Sequence, residues 1–599
     1  MTINSVIAEV AHNIAQRSKS SRKTYLDKLE RAARQGKTRA VLACGNLAHT
    51  VAAATEREKQ SILDFTKSNL AIVTAYNDMV SAHQPYRDYP EQIKRALAEL
   101  GNTAQVAGGV PAMCDGITQG YQGMELSLFS RDLIAQSTAL SLSHNTFDGT
   151  LLLGVCDKIA PGQLMGALAF GHLPTAFIPS GPMSTGISND EKVATRQKYV
   201  AGKADKAALL AVECKAYHSA GTCTFFGTAN TNQLVFEAMG LMLPGSAFIS
   251  PNDPLRDKLT EKAAQYIASV SAHSRSHKAL GVVLDEKAVI NGLVALLASG
   301  GSTNHTIHLV AVAKAAGWLV TWDDLDRLSQ VVPLLVKMYP NGDADINAFQ
   351  KAGGVPTLLA GLNQRDLIFM DANPVYGRME DYLTTPYLNA QGEVQFAAAK
   401  PSIDSRVLAP PGHSFSDAGG LKVLSGNLGR GVMKVSAVAK AHQRVVAPAM
   451  VFDSQHDVEA AYKQGLLTQD GVIVVRFNGP AANGMPELHK LMPIMGNLMK
   501  QGLNVALLTD GRLSGASGKV PAVIHITPEA VRGGLLAKVK DGDMIEVDGH
   551  TGKVNVLESI EHRTPAEPQL EQSHIGSGRE LFSVFRHAIS SAEQGATVF

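Results

Sequence analysis

Long apolar runs, an excess of charge of either sign, and cysteine are all scarce in this sequence, and each scarcity excludes something. No stretch approaches the ~20 consecutive apolar residues that a membrane-spanning helix needs, so no membrane partner is expected. Lysine and arginine total 55 against 54 aspartate and glutamate, a formal net charge of +1. That balance provides no general attraction to nucleic acid or to an anionic membrane, and any anionic ligand must be held by a local site. The first 25 residues lack the apolar core of a secretory signal. They end in a basic run (Arg17, Lys19, Arg22, Lys23), but Glu9 and Asp27 argue against a mitochondrial presequence. A cytoplasmic protein is the expectation. The five cysteines (Cys44, Cys114, Cys156, Cys214, Cys223) are odd in number and lack the short paired spacing of secreted frameworks. There is no Cys-x₂-Cys pair and no His-x₃-His tied to a cysteine, which argues against structural zinc. Internal repeats and low-complexity tracts are absent as well.

What is present is a globular composition, 45% hydrophobic and 18% charged over 599 residues, long enough for roughly two to four domains. Residues 1–65 read as helices, with apolar spacing over 6–14 and 26–33. Residues 71–76 form a short β-like run, followed by a polar loop over 77–85 and a helix over 91–100. The pattern recurs: a strand over 150–155 leads into Cys156-Asp-Lys158, and Pro161 opens a helix through Leu168. A further strand over 175–179 precedes a Gly/Ser/Pro loop. Such alternation predicts α/β layers over residues 66–390. Residues 391–420, rich in proline and glycine, read as a boundary. Beyond it come short β-branched runs at 472–477, 505–509, 544–547 and 553–557, the last two joined by a hairpin turn over 548–552. The expected fold is therefore a large N-terminal α/β domain followed by a β-rich, barrel-like domain over 391–599.

Three cysteines sit on tight polar loops: Met113-Cys-Asp-Gly116, Val155-Cys-Asp-Lys158 and Gly221-Thr-Cys-Thr224. Loops at strand ends are where α/β proteins place reactive groups. In the first two loops a soft thiolate and a hard carboxylate leave the chain side by side. Thiolates suit iron–sulfur clusters and carboxylates suit magnesium or manganese, so a site needing both would explain the pairing. Cys44 and Cys214 read as buried small side chains. His305 and His308, one turn apart after Gly300-Gly-Ser-Thr-Asn304, read as packed histidines on a helix opened by a Ser/Thr cap. The amides around Ser302 and Thr303 at that helix start are candidates for an anionic group of a substrate.

Five motifs occur in order: Cys156-Asp-Lys158, Gly221-Thr-Cys223 with Gly227-Thr-Ala-Asn230, Gly300–Asn304, Asn483-Gly-Met-Pro-Glu487 and Thr509-Asp-Gly-Arg-Leu-Ser-Gly515. Together they resemble the dihydroxy-acid and phosphogluconate dehydratase family, from about residue 40 to the C-terminus. Tyr76–Pro85, Gly108–Asp115 and Asn483–Lys490 resemble its phosphogluconate branch. The resemblance implies an iron–sulfur hydro-lyase with magnesium (or manganese), acting on 6-phosphogluconate in the Entner–Doudoroff route. A homodimer and a small sugar-acid substrate are implied with it. Carried over motif by motif, Cys156 and Cys223 become cluster ligands. Asp115, Asp157, Lys158 and Glu487 become the metal shell, with Lys158 a candidate for carbamylation, and Ser514 becomes the catalytic base. Relatives with a two-iron cluster carry a cysteine where this chain reads Ser81-Ala-His83. Cys114 is the substitute, and a four-iron cluster held by three thiolates is the expectation. Phosphate recognition would need a cationic pocket remote from the reacting carbons, for which His83, Lys422 and Arg430 are candidates. The alternatives are the same chemistry on an unphosphorylated sugar acid or branched-chain dihydroxy acid, and an electron-transfer or sensing iron–sulfur protein. The last would need neither the lysine and carboxylates nor Ser514.

Overall fold

A computed structural model describes residues 3–35, 38–271, 274, 276–514 and 518–599. Four strands, β1 (Asn69–Thr74), β2 (Thr103–Gly109), β3 (Gly149–Leu153) and β4 (Thr175–Phe177), form a parallel sheet in the order β2-β1-β3-β4. The two central strands are covered on both faces, which is why β1 reads as an apolar run and not as an alternation. The β-run expected over 71–76 begins two residues earlier, at Asn69.

Helices cover the sheet. Of these, Ser127–Leu142 and Ile159–Leu168 matter most for the site, because they pack with almost no space between their backbones. A Cβ on Gly162 would stand 2.4 Å from the Arg131 carbonyl oxygen, and one on Gly166 would stand 2.4 Å from that of Ala135. No side chain larger than hydrogen fits there. This contact fixes the helix whose first turn follows Cys156-Asp157-Lys158. The N-terminal helices Ser5–Arg17 and Lys19–Arg34 are tied down by Arg22, which donates to the carbonyls of Ala316 (2.7 Å) and Gly281 (2.6 Å).

A hairpin of β5 (Thr384–Leu388) and β6 (Val394–Ala398) follows, and position 391, taken above as a boundary, lies in its turn. Strands β7 (Leu421–Gly426), β8 (Gly429–Lys434), β9 (Arg444–Phe452), β10 (Gly471–Val475), β11 (Val505–Thr509), β12 (Ala522–Thr527), β13 (Met544–Asp548) and β14 (Lys553–Val556) close, among the described residues, into a barrel. Its order is β10-β11-β12-β8-β7-β14-β13-β9. β9, β10, β11 and β12 run parallel to their neighbours in that series. Val472 and Val474 face the barrel interior, while Ile473 and Val475 face the larger core shared with the N-terminal region. Burial on both faces again explains an unbroken apolar run. No helix among the described residues is long and apolar enough to cross a membrane.

Candidate functional site

Loops at the C-terminal ends of parallel strands in the two halves face each other, and the conserved logic of α/β sheets puts ligands at such ends. From the N-terminal half come the loop after β2, with Cys114 and Asp115, and the loop after β3, with Cys156, Asp157 and Lys158. From the barrel come the segment after β10, with Glu487, and the segment after β11, with Arg512 and Ser514. The two barrel segments are stitched together: Leu488 N–H donates to the Arg512 carbonyl (3.0 Å). Asp510 accepts from the amides of Phe477 (3.2 Å), Asn478 (2.9 Å) and Ala530 (2.9 Å).

Carboxylate oxygens of Asp115, Asp157 and Glu487 lie within 4.8 Å of one another. Two cations meet them. Lys158 donates to Asp115 and, at 3.2 Å, to Asp157. Arg512 donates to Asp115 (3.0 Å), Glu487 (3.4 Å) and the Met485 carbonyl (2.9 Å). Ser127 Oγ donates to the second oxygen of Asp115 (2.5 Å), and Gln119 Nε2 to Glu487 (2.6 Å). Burial by itself would raise the Asp115 pKa, but Lys158 and Arg512 outweigh it and hold this carboxyl well below the usual range. Burial pushes Asp157 up, and pushes Glu487 up to about 7, aided by the other two carboxylates and opposed by Arg512. Three carboxylates facing two cations leave room for further positive charge, and a set of hard oxygens suits a divalent cation.

Cys114, Cys156 and Cys223 are half-buried and lie near enough to influence one another electrostatically, with Asp157 of the cage acting on all three. Burial raises all three, Cys223 to about 12; Cys114 and Cys223 raise Cys156 further, and Cys114 raises Cys223. Thiols raised in this way gain little as neutral groups; soft-metal ligation would deprotonate them and use all three. Cys156 itself has φ +32°, a left-handed conformation uncommon outside glycine and enriched at functional sites. Asn232 Nδ2 holds this loop by donating to the carbonyls of Cys156 (3.0 Å) and Asp157 (3.3 Å), and His305 Nε2 pairs with Asn232 Oδ1 (3.0 Å).

Other expectations need correction. His83 is fully buried, and burial depresses its pKa to about 3. Its Nε2 accepts from the Val155 amide (3.2 Å), so it is a neutral prop beneath the Cys156 loop and no cation for a phosphate. Lys422 pairs with Asp326 (3.0 Å), and Arg430 with Asp323 (2.6 Å) and Glu593 (3.2 Å). Both are committed to carboxylates outside the cage. Cys44 and Cys214 are exposed, not buried. Ser302 Oγ is engaged with Thr228 Oγ1 (2.8 Å). The His305–Ala315 helix is opened by Asn304, whose side chain makes no capping bond. Thr303 lines a small interdomain cavity with Lys434 and Leu513. Ser514 is half-buried beside Leu513, whose carbonyl accepts from Asn304 Nδ2 (3.2 Å). Gly515, the last residue of its motif, lies outside the described residues. Sequence reasoning missed Arg512, although it stands inside a quoted motif, and also Gln119, Asn232 and the buried lysines Lys192 and Lys434. No local pattern marks the last two.

A cage of hard oxygens and three half-buried cysteines, placed where two domains meet, offer donors that suit a metal-dependent enzyme. Sequence comparison specifies which: residues 67–381 match the dihydroxy-acid/6-phosphogluconate dehydratase N-terminal domain and residues 406–596 the C-terminal domain. The chain belongs to this family. It is 55% identical over 600 residues to the phosphogluconate dehydratase of Escherichia coli (strain K12), covering 99% of each chain. With the phosphogluconate dehydratase of Pseudomonas aeruginosa it shares 54% over 596 residues, covering 99% of this chain and 98% of that one. With the dihydroxy-acid dehydratase of Methanococcus vannielii it shares 32% over 553 residues, covering 89% and 95%.

Proposed function

We propose that this protein is a hydro-lyase that dehydrates 6-phosphogluconate to 2-keto-3-deoxy-6-phosphogluconate, the Entner–Doudoroff step. The observation that carries the reading is end-to-end similarity to phosphogluconate dehydratases at 55% and 54%, against 32% for a dihydroxy-acid dehydratase. Cys156, Cys223 and Cys114 would hold an iron–sulfur cluster, of the four-iron type with three thiolates. Asp115, Asp157 and Glu487 would hold magnesium, with Lys158 beside them. When bound, the cluster supplies a Lewis acid for the departing hydroxyl, and the cation supplies charge that acidifies nearby hydroxyls and offsets an enolate.

The chain's own residues divide the remaining work. Ser514 takes the proton from C2. Arg512 and Lys158 keep three mutually repelling carboxylates in one cage. The buried walls from both domains limit water around the reacting carbons. Loss of the C2 proton and the C3 hydroxyl amounts to loss of water, and the enol so formed tautomerises to the ketone with no net redox change. A cytoplasmic location and assembly as a homodimer go with this reading.

The test is anaerobic purification followed by an assay of 2-keto acid release from 6-phosphogluconate, gluconate and a branched dihydroxy acid. Preference for the first is expected. Cys156→Ser and Cys223→Ser are each expected to lose the cluster's visible absorbance together with activity, while Cys44→Ser and Cys214→Ser keep both. Retained absorbance in the first two variants would remove the cluster assignment.

A further inference from the structure

Helix Asn189–Val200 forms a hairpin with helix Lys206–Ala216, held by a bidentate pair between Arg196 and Glu213 (2.5 and 2.8 Å). The hairpin reaches across to the barrel side, where Gln197 meets Lys500 on helix Leu491–Lys500. On its inner face Lys192 is only 6% exposed. Its ammonium lies 4.8 Å from the ring centroid of Phe225 and 5.0 Å from that of Tyr217, and donates to Tyr217 Oη at a long 3.4 Å. Among the described residues no carboxylate forms an ion pair with it, since the nearest candidate, Glu213, is taken by Arg196. Two aromatic faces recover only part of the hydration that a buried ammonium gives up. A cation in that state is prepared for an anion that arrives from outside.

Its position says which one. Lys192 stacks on Phe225, two residues beyond Cys223 on the loop that carries that thiol. The cage carboxylates, by contrast, are hydrogen-bonded by Lys158 and Arg512. Lys192 therefore stands at the thiol end of the site, away from the carboxylate end. A sugar acid whose carboxylate is directed to the cage and whose C3 lies by the thiols would extend its far end towards this lysine.

We infer that Lys192 receives the substrate's remote phosphate ester and so sets the preference for phosphorylated sugar acids. This rests on the dehydratase reading above. The test compares kcat/KM for 6-phosphogluconate and for gluconate in anaerobically prepared wild type, Lys192→Met and Lys192→Arg, each normalised to cluster absorbance. Lys192→Met should raise KM for 6-phosphogluconate by at least ~30-fold, the order lost with one charge-assisted hydrogen bond. The same variant should leave kcat/KM for gluconate within about threefold. Inorganic phosphate should compete with gluconate in wild type and lose that effect in Lys192→Met. Equal losses on both substrates, or loss of cluster absorbance, would assign Lys192 to the cluster or the fold and overturn the inference. If Lys192→Met does not fold, Lys192→Arg, which keeps the charge but moves it, must still change the ratio of the two kcat/KM values by about fivefold; an unchanged ratio overturns the inference. Wild-type turnover of 6-phosphogluconate tests the dehydratase reading separately.

Discussion

Replacing Arg512 with methionine should unbalance the carboxylate cage in a way that a divalent cation partly repairs. Arg512 is 1% exposed and makes three charge-assisted contacts, to Asp115, Glu487 and the Met485 carbonyl. With it, three carboxylates face two cations; without it, they face Lys158 alone. At an effective dielectric of ~20, two unit charges ~4 Å apart interact by about 4 kcal/mol. Breaking a buried ion pair from one side costs about 3–5 kcal/mol in practice. Glu487, already raised to about 7, would relieve part of this by taking a proton, so a loss of about 3 kcal/mol is expected in the cation-free protein. In a thermal melt with chelator this is a drop of roughly 2 °C if the whole chain melts as one unit and roughly 5 °C if half of it does. Magnesium at about a hundredfold above its Kd stabilises a protein by about 2.7 kcal/mol. The more negative cage of the variant should draw a larger rise from magnesium than wild type does. The assay is paired melts of both proteins with chelator and with a magnesium series. A variant melting with wild type in chelator, or gaining less from magnesium, would show that Arg512 does not balance a cation cage.

Ser514→Ala should retain both metals and bind substrate while kcat falls by ~10²–10⁴, with KM little changed, because proton abstraction is all that is asked of the hydroxyl. Exchange of the C2 proton with deuterated solvent should disappear with it; a kcat within about fivefold of wild type would move the base elsewhere. Among the described residues Lys434 has no hydrogen-bond partner for its ammonium, and burial lowers its pKa to about 7. A lysine so depressed costs stability fully below the folded pKa, and the cost fades as pH rises towards the unfolded value near 10.5. Lys434→Met should therefore raise the melting temperature, more at about pH 6 than at about pH 9; a lower melting temperature at the acidic pH would mean that the ammonium has a compensating partner.

Much of the architecture was legible because its causes are local. Residues 150–155 and 472–477 read as strands because burial on both faces leaves β-branched and aliphatic runs with no alternation. Cys156-Asp-Lys158 stood out because a thiol and a carboxylate side by side on a strand-end loop follow recognisable chemistry, whereas Glu487 entered only through the family resemblance of its motif. Cys44 and Cys214 were misjudged because a lone cysteine carries no sign of which helix face it occupies, and both face solvent. The surroundings of the phosphate candidates were equally hidden. A basic residue's sequence neighbours do not say whether a carboxylate will meet it in space, as Asp326 meets Lys422 and Asp323 meets Arg430.

By itself, then, the sequence determined the strands, the motif loops and the donor types at the site. Only the tertiary structure decided which of those donors share a cage and which cations remain without an anion. Asp115 and Arg512 are 397 positions apart, and Gln119 and Glu487 are 368 apart. Lys192 becomes a candidate only because a helical hairpin buries it against Tyr217 and Phe225. The reason is physical: periodicity and turn chemistry act over a few residues, but charge balance in a buried site depends on every group within several ångströms. That set is assembled by domain packing.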